Sequence, residues 1–448
     1  MKKTQLYRLV FLAMLPALVL TSCRFEDDDY FDESAALRIE HKAEEMRNVL
    51  ASAPNGWNMQ FFCAHDVADY EGFNLFARFD VNGKVTMASD HRYLRNGNAG
   101  KYTEAVSIYE LLKEDGLILA FNVWNDVLTV FTDPVDPSAA PNRIVKDGAG
   151  MHGDHNFVVM SYNENEIILR GERHQAEVRL HRCDRDWQTY IADTKTMKSR
   201  ITNSIVTDYK VVNGSETLYF TNLLTGKPVY TDALEVKKQT RADVLSCVFT
   251  PNGFRMEKEE KIGDNRFHEF TLAPDETCLV SEDGSVKVIP CWDNYVATHN
   301  DVWKFDKALF TSELADLYDK INTEIQKFNT AWSLESIGIG QSTGSNKIYG
   351  LVLTFYTNTA KTKTNTAGVA FTQTKPADGQ IKIEYSAEDK IDKNMENIVK
   401  KAPDVETYAR SFANMLNGTY SVTPNDFFLP TGGDFTPVEG GVKFKIKL

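Results

Sequence analysis

Short stretches of strict alternation, each closed by turn residues, limit what this chain can fold into more than any other feature. Phe73, Leu75, Ala77, Phe79 and Val81 fall on one side of an extended run; Asn82-Gly83 follows, and Val85 and Met87 resume the pattern. Successive side chains of a strand point to opposite faces, and Asn-Gly tolerates the positive φ angles of a two-residue hairpin. Further strands are expected near 102–111, 116–121, 156–162, 165–171 and 176–183, with Ile167, Leu169, Ala176, Val178 and Leu180 facing inward. Others are expected near 208–213, 217–221, 243–250, 267–273, 277–281, 285–290, 348–357, 367–374 and 380–385, and the run from Val442 to Leu448 closes the chain. Many short strands linked by turns predict antiparallel sheets, curved or barrel-like, since closure removes exposed edges.

Helices interrupt the strands. Ala36, Ile39, Ala43, Met46 and Leu50 keep three-four spacing over Glu33 to Ala53, and Pro54-Asn55-Gly56 stops that run. The same spacing predicts helices over Asp186–Val206, over Ser312–Phe328 with Ser312 as N-cap, and over Val405–Leu416 ended by Gly418. A short helix is expected over Trp124–Phe131. The fold class is therefore α+β, mainly antiparallel β with amphipathic helices leading each unit. The expected division is 33–185 as an N-terminal domain and 186–448 as a C-terminal one, with a weaker boundary near Thr311. A helix lies near a tryptophan and a run of strands three times, at Trp57, Trp187 and Trp332. Residue identities do not otherwise recur, so this alone does not establish a repeat.

The N-terminus carries an address. Lys2, Lys3 and Arg8 precede the apolar run Leu9–Leu20, too short to span a bilayer, and Leu20-Thr21-Ser22-Cys23 follows. This reads as a secretory signal over 1–22 ending in a lipobox, with Cys23 the acylated residue and a membrane attachment through its lipid. Residues 23–32 form an acidic tether through Glu26-Asp27-Asp28-Asp29, too charged to join a core. Removing residues 1–22 takes away three basic residues and no acidic ones, which moves the formal charge from −13 to −16. No basic run exists, so nucleic acid is excluded as a partner.

Five cysteines remain, Cys63, Cys183, Cys247, Cys278 and Cys291, with no CxxC pair to hold zinc or run redox exchange. Cys278 and Cys291 flank a hairpin turn and are placed to be bridged; buried thiols in strands are the simpler expectation. His152 and His155, with Asp154 and His174, form the most metal-like cluster, but on a Gly-rich loop and without HExxH, so no metal or other cofactor is expected. Gly340-Gln341-Ser342-Thr343-Gly344 spells a nucleophile elbow, yet the last histidine, His299, precedes Ser342, so the Ser-Asp-His order of a hydrolase is impossible. This segment reads as a Gly/Ser loop. Paired carboxylates of the kind glycosidases use are too numerous to choose among. Trp292, Tyr295 and Trp303, beside Asp293 and Asn294, are the candidate ligand-binding residues, because aromatic faces next to amides and carboxylates suit a sugar or a peptide. Trp124-Asn125-Asp126 has the same character.

The acidic tether resembles the signal that sends lipoproteins of the Bacteroidota to the outer face of the outer membrane. Phe31-Asp32-Glu33-Ser34-Ala35, Ala53-Pro54-Asn55-Gly56-Trp57, Phe79-Asp80-Val81-Asn82-Gly83-Lys84-Val85, Ile167-Ile168-Leu169-Arg170-Gly171 and Phe249-Thr250-Pro251-Asn252-Gly253-Phe254 resemble a Bacteroidota lipoprotein family known only as a domain of unknown function. The resemblance runs over essentially the whole mature chain. It implies a lipoprotein at the cell surface or in the periplasm, often encoded beside outer-membrane nutrient importers, and it carries over no catalytic residue. The outer membrane with the chain facing the cell exterior is the favoured placement, a tether facing the periplasm the alternative. The leading expectation is a non-enzymatic accessory in glycan or peptide capture or import, in company with an outer-membrane transporter. A hydrolase of extracellular glycan or peptide and a structural or adhesion protein of the envelope stand as alternatives.

Overall fold

The alternating runs assemble as three nine-stranded antiparallel sheets that share one topology. The computed structural model describes residues 34–65, 68–114, 116–133, 150–202 and 205–448; Cys23 and the tether lie outside them. In every sheet the first strand lies between the second and the ninth. The remaining strands follow in order to the fourth at one edge and the fifth at the other. Those two edge strands are nearly continuous in the chain. Thr103–Ile108 and Glu110–Lys113 are separated by Tyr109 alone, Ala242–Val244 and Cys247–Thr250 by Leu245 and Ser246, and Thr364–Ala370 and Thr372–Thr374 by Phe371. Both edges of each sheet are thus halves of one bent segment, and the sheet curls round on itself in a barrel-like form.

Each sheet is entered from a helix that helps to fill it. Helix α1 (Ala35–Ala51), capped by Ser34, sends Ala43, Met46 and Leu50 into the first core, among Met59, Phe61, Leu75 and Leu180. Helix α2 (Trp187–Thr202) supplies Ile201 and Met197 to the second core, and α3 (Trp292–Thr298) supplies Trp292 and Val296 to the third. The first strand of each sheet then opens on a large buried aromatic that holds its helix. Trp57 Nε1 donates to the Leu50 carbonyl at 2.8 Å, the Tyr209 hydroxyl donates to the Ile201 carbonyl, and Trp303 stacks on Trp292 with centroids 5.6 Å apart. The chain therefore does repeat, but on Trp57, Tyr209 and Trp303 rather than on Trp57, Trp187 and Trp332.

The chain passes from the first sheet to the second through α2, and from the second to the third between Pro290 and Trp303, ahead of Thr311. Helix α4 (Ser312–Phe328) lies inside the third unit, between its first strand (Trp303–Phe305) and its second (Ser333–Gln341). Its N-cap is Thr311, whose hydroxyl accepts from Leu314 N, not Ser312. Helices α5 (Lys393–Val399) and α6 (Asp404–Met415) follow the sixth strand of that sheet. Leu314, Ile321 and Ile325 of α4 share the third core with Val405, Ala409 and Phe412 of α6.

The first two sheets are bolted together. Gly72 N donates to the Cys247 carbonyl (3.0 Å), Ser246 Oγ to the Tyr70 carbonyl (2.6 Å) and Asn74 Nδ2 to the Phe249 carbonyl (2.8 Å). Phe62, Ala176 and Val248 make an apolar seam beside them. A Cβ on Gly72 would sit 2.4 Å from the Phe62 ring, so only glycine allows this approach. Helix α2 spans the joint: Trp187 packs on Phe76, outside the first core, while Ile201 lies within the second. All five cysteines beyond Cys23 are buried and outside any disulfide, so Cys278 and Cys291 are not bridged. Only Thr129–Phe131 of the helix expected over Trp124–Phe131 forms, as a single 3-10 turn, because the Asn125 side chain ties the preceding residues to the Ala105 carbonyl and Ser107.

Candidate functional site

Strand residues that face away from the two cores meet at the joint between the first and second sheets. From the first sheet, Arg170, Glu177 and Arg179 point outward between core residues Leu169, Val178 and Leu180, and loops bring His65 and Gln175 beside them. From the second sheet, the sixth strand (Gly253–Ile262) buries Phe254 and Met256 in its own core and turns Arg255 and Glu257 outward; the seventh (Asn265–Leu272) adds His268. Between these walls lies a groove of about 390 Å³. Its lining holds three carboxylates (Glu177, Glu257, Glu259), three cationic side chains (Arg170, Arg179, Lys258), two histidines and one amide.

Arg255 lies behind the wall at 0 % exposure. Its Nε donates to Gln60 Oε1 (2.6 Å), one terminal nitrogen donates to the Gln60 carbonyl (3.3 Å), and the guanidinium lies over the Phe62 ring at 5.0 Å. The other terminal nitrogen, Nη1, has no hydrogen-bond partner and faces Glu177 Oε1 at 3.7 Å. Burial, with Arg179 adding to it, pushes the Arg255 pKa down to about 10 against the pull of Glu177, Glu269 and Glu257, so the group stays charged at neutral pH. Arg179 Nε donates to Glu177 Oε1 at 2.8 Å, and His65 Nδ1 meets Glu257 Oε1 at 2.7 Å across the joint. Burial, then the charges of Arg255 and Arg179, push His181 down to about 4; burial and Arg179 also lower His268. The groove thus offers fixed charge of both signs and, at His268, an imidazole held towards its neutral form, the equipment for holding a polar solute.

His268, Glu269 and Glu282 bring ligand atoms within 4.8 Å of one another, the one such trio among the described residues. Burial first, then Glu282, raises the Glu269 pKa, while Arg255 and Arg179 lower it. With two guanidinium groups in the same field, these carboxylates are accounted for as counter-ions to the arginines.

The residues singled out from sequence fall elsewhere. Trp292 and Trp303 are 3 % and 2 % exposed, with Tyr295 packed against them and His299 stacked on Trp303 at 3.3 Å. Their rings are spent on the third core and on α3, which leaves no open indole face there. Asp293 is buried beside them and paired with Lys210 (3.0 Å) and Lys375 (2.8 Å). Burial pushes its pKa up, but Lys375, the Gly379 N–H and Lys210 outweigh that and hold it at about 2. His152 and His174 lie with ring centroids 5.4 Å apart, and Asp154 accepts from the backbone N–H groups of Arg173 (3.2 Å) and His174 (2.8 Å) as a loop tie; His155 is exposed. Ser342 is buried at the end of a strand, where its Oγ accepts from Ile348 N. Gly338 and Gly340 let the chain around the first strand of the third sheet come close, the strand ends at Gln341, and Ser342–Ile348 form the connecting loop expected from the Gly/Ser run.

The strand that carries Arg255 and Glu257 was missed. Met256-Glu257-Lys258-Glu259-Glu260-Lys261 looks like a solvated charge run, and the available signal was the alternation of Phe254 and Met256 with Arg255 and Glu257 just ahead of it. No curated protein matches the chain. The match to a known family ends at residue 274, short of the whole-chain resemblance read from the motifs, and it contains both walls of the groove. It covers residues 27–274, more than half of the sequence, and the chain belongs to that family, described as Domain of unknown function (DUF4302).

Proposed function

We propose that this protein is a non-enzymatic accessory in nutrient capture, held on the outer face of the outer membrane by lipid on Cys23, with the groove between its first two sheets as the contact for a glycan or peptide fragment. The groove carries this reading: side chains of both charges, backed by a buried arginine, line a space of about 390 Å³ between two rigidly joined sheets. Ligand sites are typically preformed concavities at such joints, with a few fixed polar groups that orient the bound molecule. Leu20-Thr21-Ser22-Cys23 and the acidic tether support the address, and several acyl chains at about 0.8 kcal/mol per buried methylene make a stable anchor. An outer-membrane importer is the partner to which captured solute would pass.

The test pairs two variants in intact cells. Cys23→Ala should move the protein from the membrane to the soluble fraction. Arg179→Gln should leave it in the membrane and lower uptake of labelled oligosaccharide or peptide at least about tenfold. Crosslinking on the same cells should recover a transporter. Unchanged uptake with Arg179→Gln, together with no transporter among the crosslinked neighbours, contradicts the reading.

A further inference from the structure

The loop that leaves the sixth strand of the first sheet (Leu117–Ala120) carries Trp124, which is 46 % exposed, the most open of the tryptophans among the described residues. It is nevertheless held firmly. Its Nε1 donates to Asp126 Oδ1 at 2.7 Å, and the Arg95 guanidinium lies over one ring face at 4.6 Å. Arg95 is itself fixed by Asp133 at 2.5 Å, with both side chains largely buried. The next residue, Asn125, is 1 % exposed and pins the loop to Ala105, Ser107 and Val127. The ring is therefore fixed in orientation and backed on one face by Arg95, with nearly half of the residue exposed. Chain direction puts this loop at the end of the sheet where the first, third and eighth strands also finish, opposite the end entered from α1.

We propose that Trp124 is a stacking platform for a neutral pyranose ring, a saccharide subsite at the end of the first sheet away from α1. The proposal rests on the capture reading above and narrows its ligand to a glycan. Three observations choose the occupant. The C–H face of a pyranose carries partial positive charge and suits the negative face of an indole. Arg95 already fills one face of the ring as its cation and is itself neutralised by Asp133, so an uncharged occupant needs no counter-ion there, and a cationic peptide is left to the test as the competing outcome. Asp126 at the ring edge and Glu110, paired with Asn122 two residues before Trp124, repel an anion but accept hydrogen bonds from hydroxyl groups. An uncharged, hydroxyl-rich ring meets all three conditions.

The experiment uses the full mature chain, a glycan array of neutral oligosaccharides, and cationic and anionic tetrapeptides as controls. Binding is then followed by the indole ¹H–¹⁵N resonance of Trp124. The expected result is that a neutral oligosaccharide shifts that resonance and that Trp124→Ala weakens its binding at least about tenfold with the thermal midpoint unchanged, while Trp124→Phe keeps part of the affinity. Equal binding by wild type and Trp124→Ala, no shift of the Trp124 resonance with any oligosaccharide, or shifts with the charged peptides alone would each overturn the platform. Arg179→Gln separates the two sites. Loss of saccharide binding there, with Trp124→Ala unaffected, removes the platform and keeps the groove; the reverse removes the groove.

Discussion

Arg255 shows how one residue can join two cores. It is fully enclosed yet charged, and it relies on Gln60 of the neighbouring sheet for two hydrogen bonds. A bond to a charged group contributes about 1.5–3 kcal/mol, so Gln60→Leu should lower stability by about that amount in urea denaturation. Arg255→Met, which removes the charge with its partner's task, should cost less. Equal losses for the two variants would mean that packing, not the hydrogen-bonded charge, holds the joint. Gly72 makes the complementary case for space. Its added Cβ in Gly72→Ala would meet Phe62 at 2.4 Å and Val248 at 2.8 Å, and overpacking of this kind costs about 1–3 kcal/mol. A variant as stable as wild type would show that the two sheets can slide apart without penalty. At this scale the core was legible and the site was not. Leu75, Ile167 and Leu180 advertise burial by apolar alternation, whereas Arg255 and Glu257 are buried only because a second sheet arrives, and local sequence carries no record of that. Trp292 and Trp303 failed in the opposite sense: their polar neighbours suggested a surface, but Asp293 is buried in an ion pair with Lys210.

At the scale of elements, the common device is an aromatic at the start of each first strand holding the helix before it. Tyr209→Phe removes only the hydroxyl bond to the Ile201 carbonyl and should cost about 0.5–1.5 kcal/mol. Trp57→Ala removes a fully buried ring and its bond to Leu50, and should cost about 3–5 kcal/mol. Both are read from denaturant midpoints, and an unaltered midpoint for Trp57→Ala would show that α1 does not depend on this contact. Helix α4 was legible to its last residue because Leu314, Leu317, Ile321, Ile325 and Phe328 keep one face over the whole run. The first strand of the third sheet was not, since Trp303–Phe305 is too short to display a period. The bent edge segments read as single strands in all three sheets, at 102–111, 243–250 and 367–374; the short breaks at Tyr109, at Leu245-Ser246 and at Phe371 do not disturb the pattern enough to mark a corner.

Across the whole molecule, two buried histidines and the half-buried His181 tie stability to pH. Burial pushes His91, His181 and His299 from the ordinary value of 6.5 to about 4, with Arg255 and Arg179 adding to the effect at His181. As pH falls below 6.5 the unfolded chain takes up these protons before the folded one does, so stability should drop between pH 6.5 and 4. Asp293, held at about 2, gives a second loss as pH falls from 3.8 towards 2. Urea midpoints across this range should show the first decline, and His181→Gln should make it shallower; a flat profile between pH 6.5 and 4 would contradict the burial assigned to these rings. The threefold plan itself was only half legible, because the three units share connectivity rather than residues. The ligand contact proposed above lies at the joint between the first two sheets. Hydrogen–deuterium exchange on the full mature chain, with and without a captured oligosaccharide or peptide, tests that most directly. Slowed exchange at Arg170–Arg179 and Glu257–His268 is the predicted result; bound ligand with no slowing in either segment would contradict it.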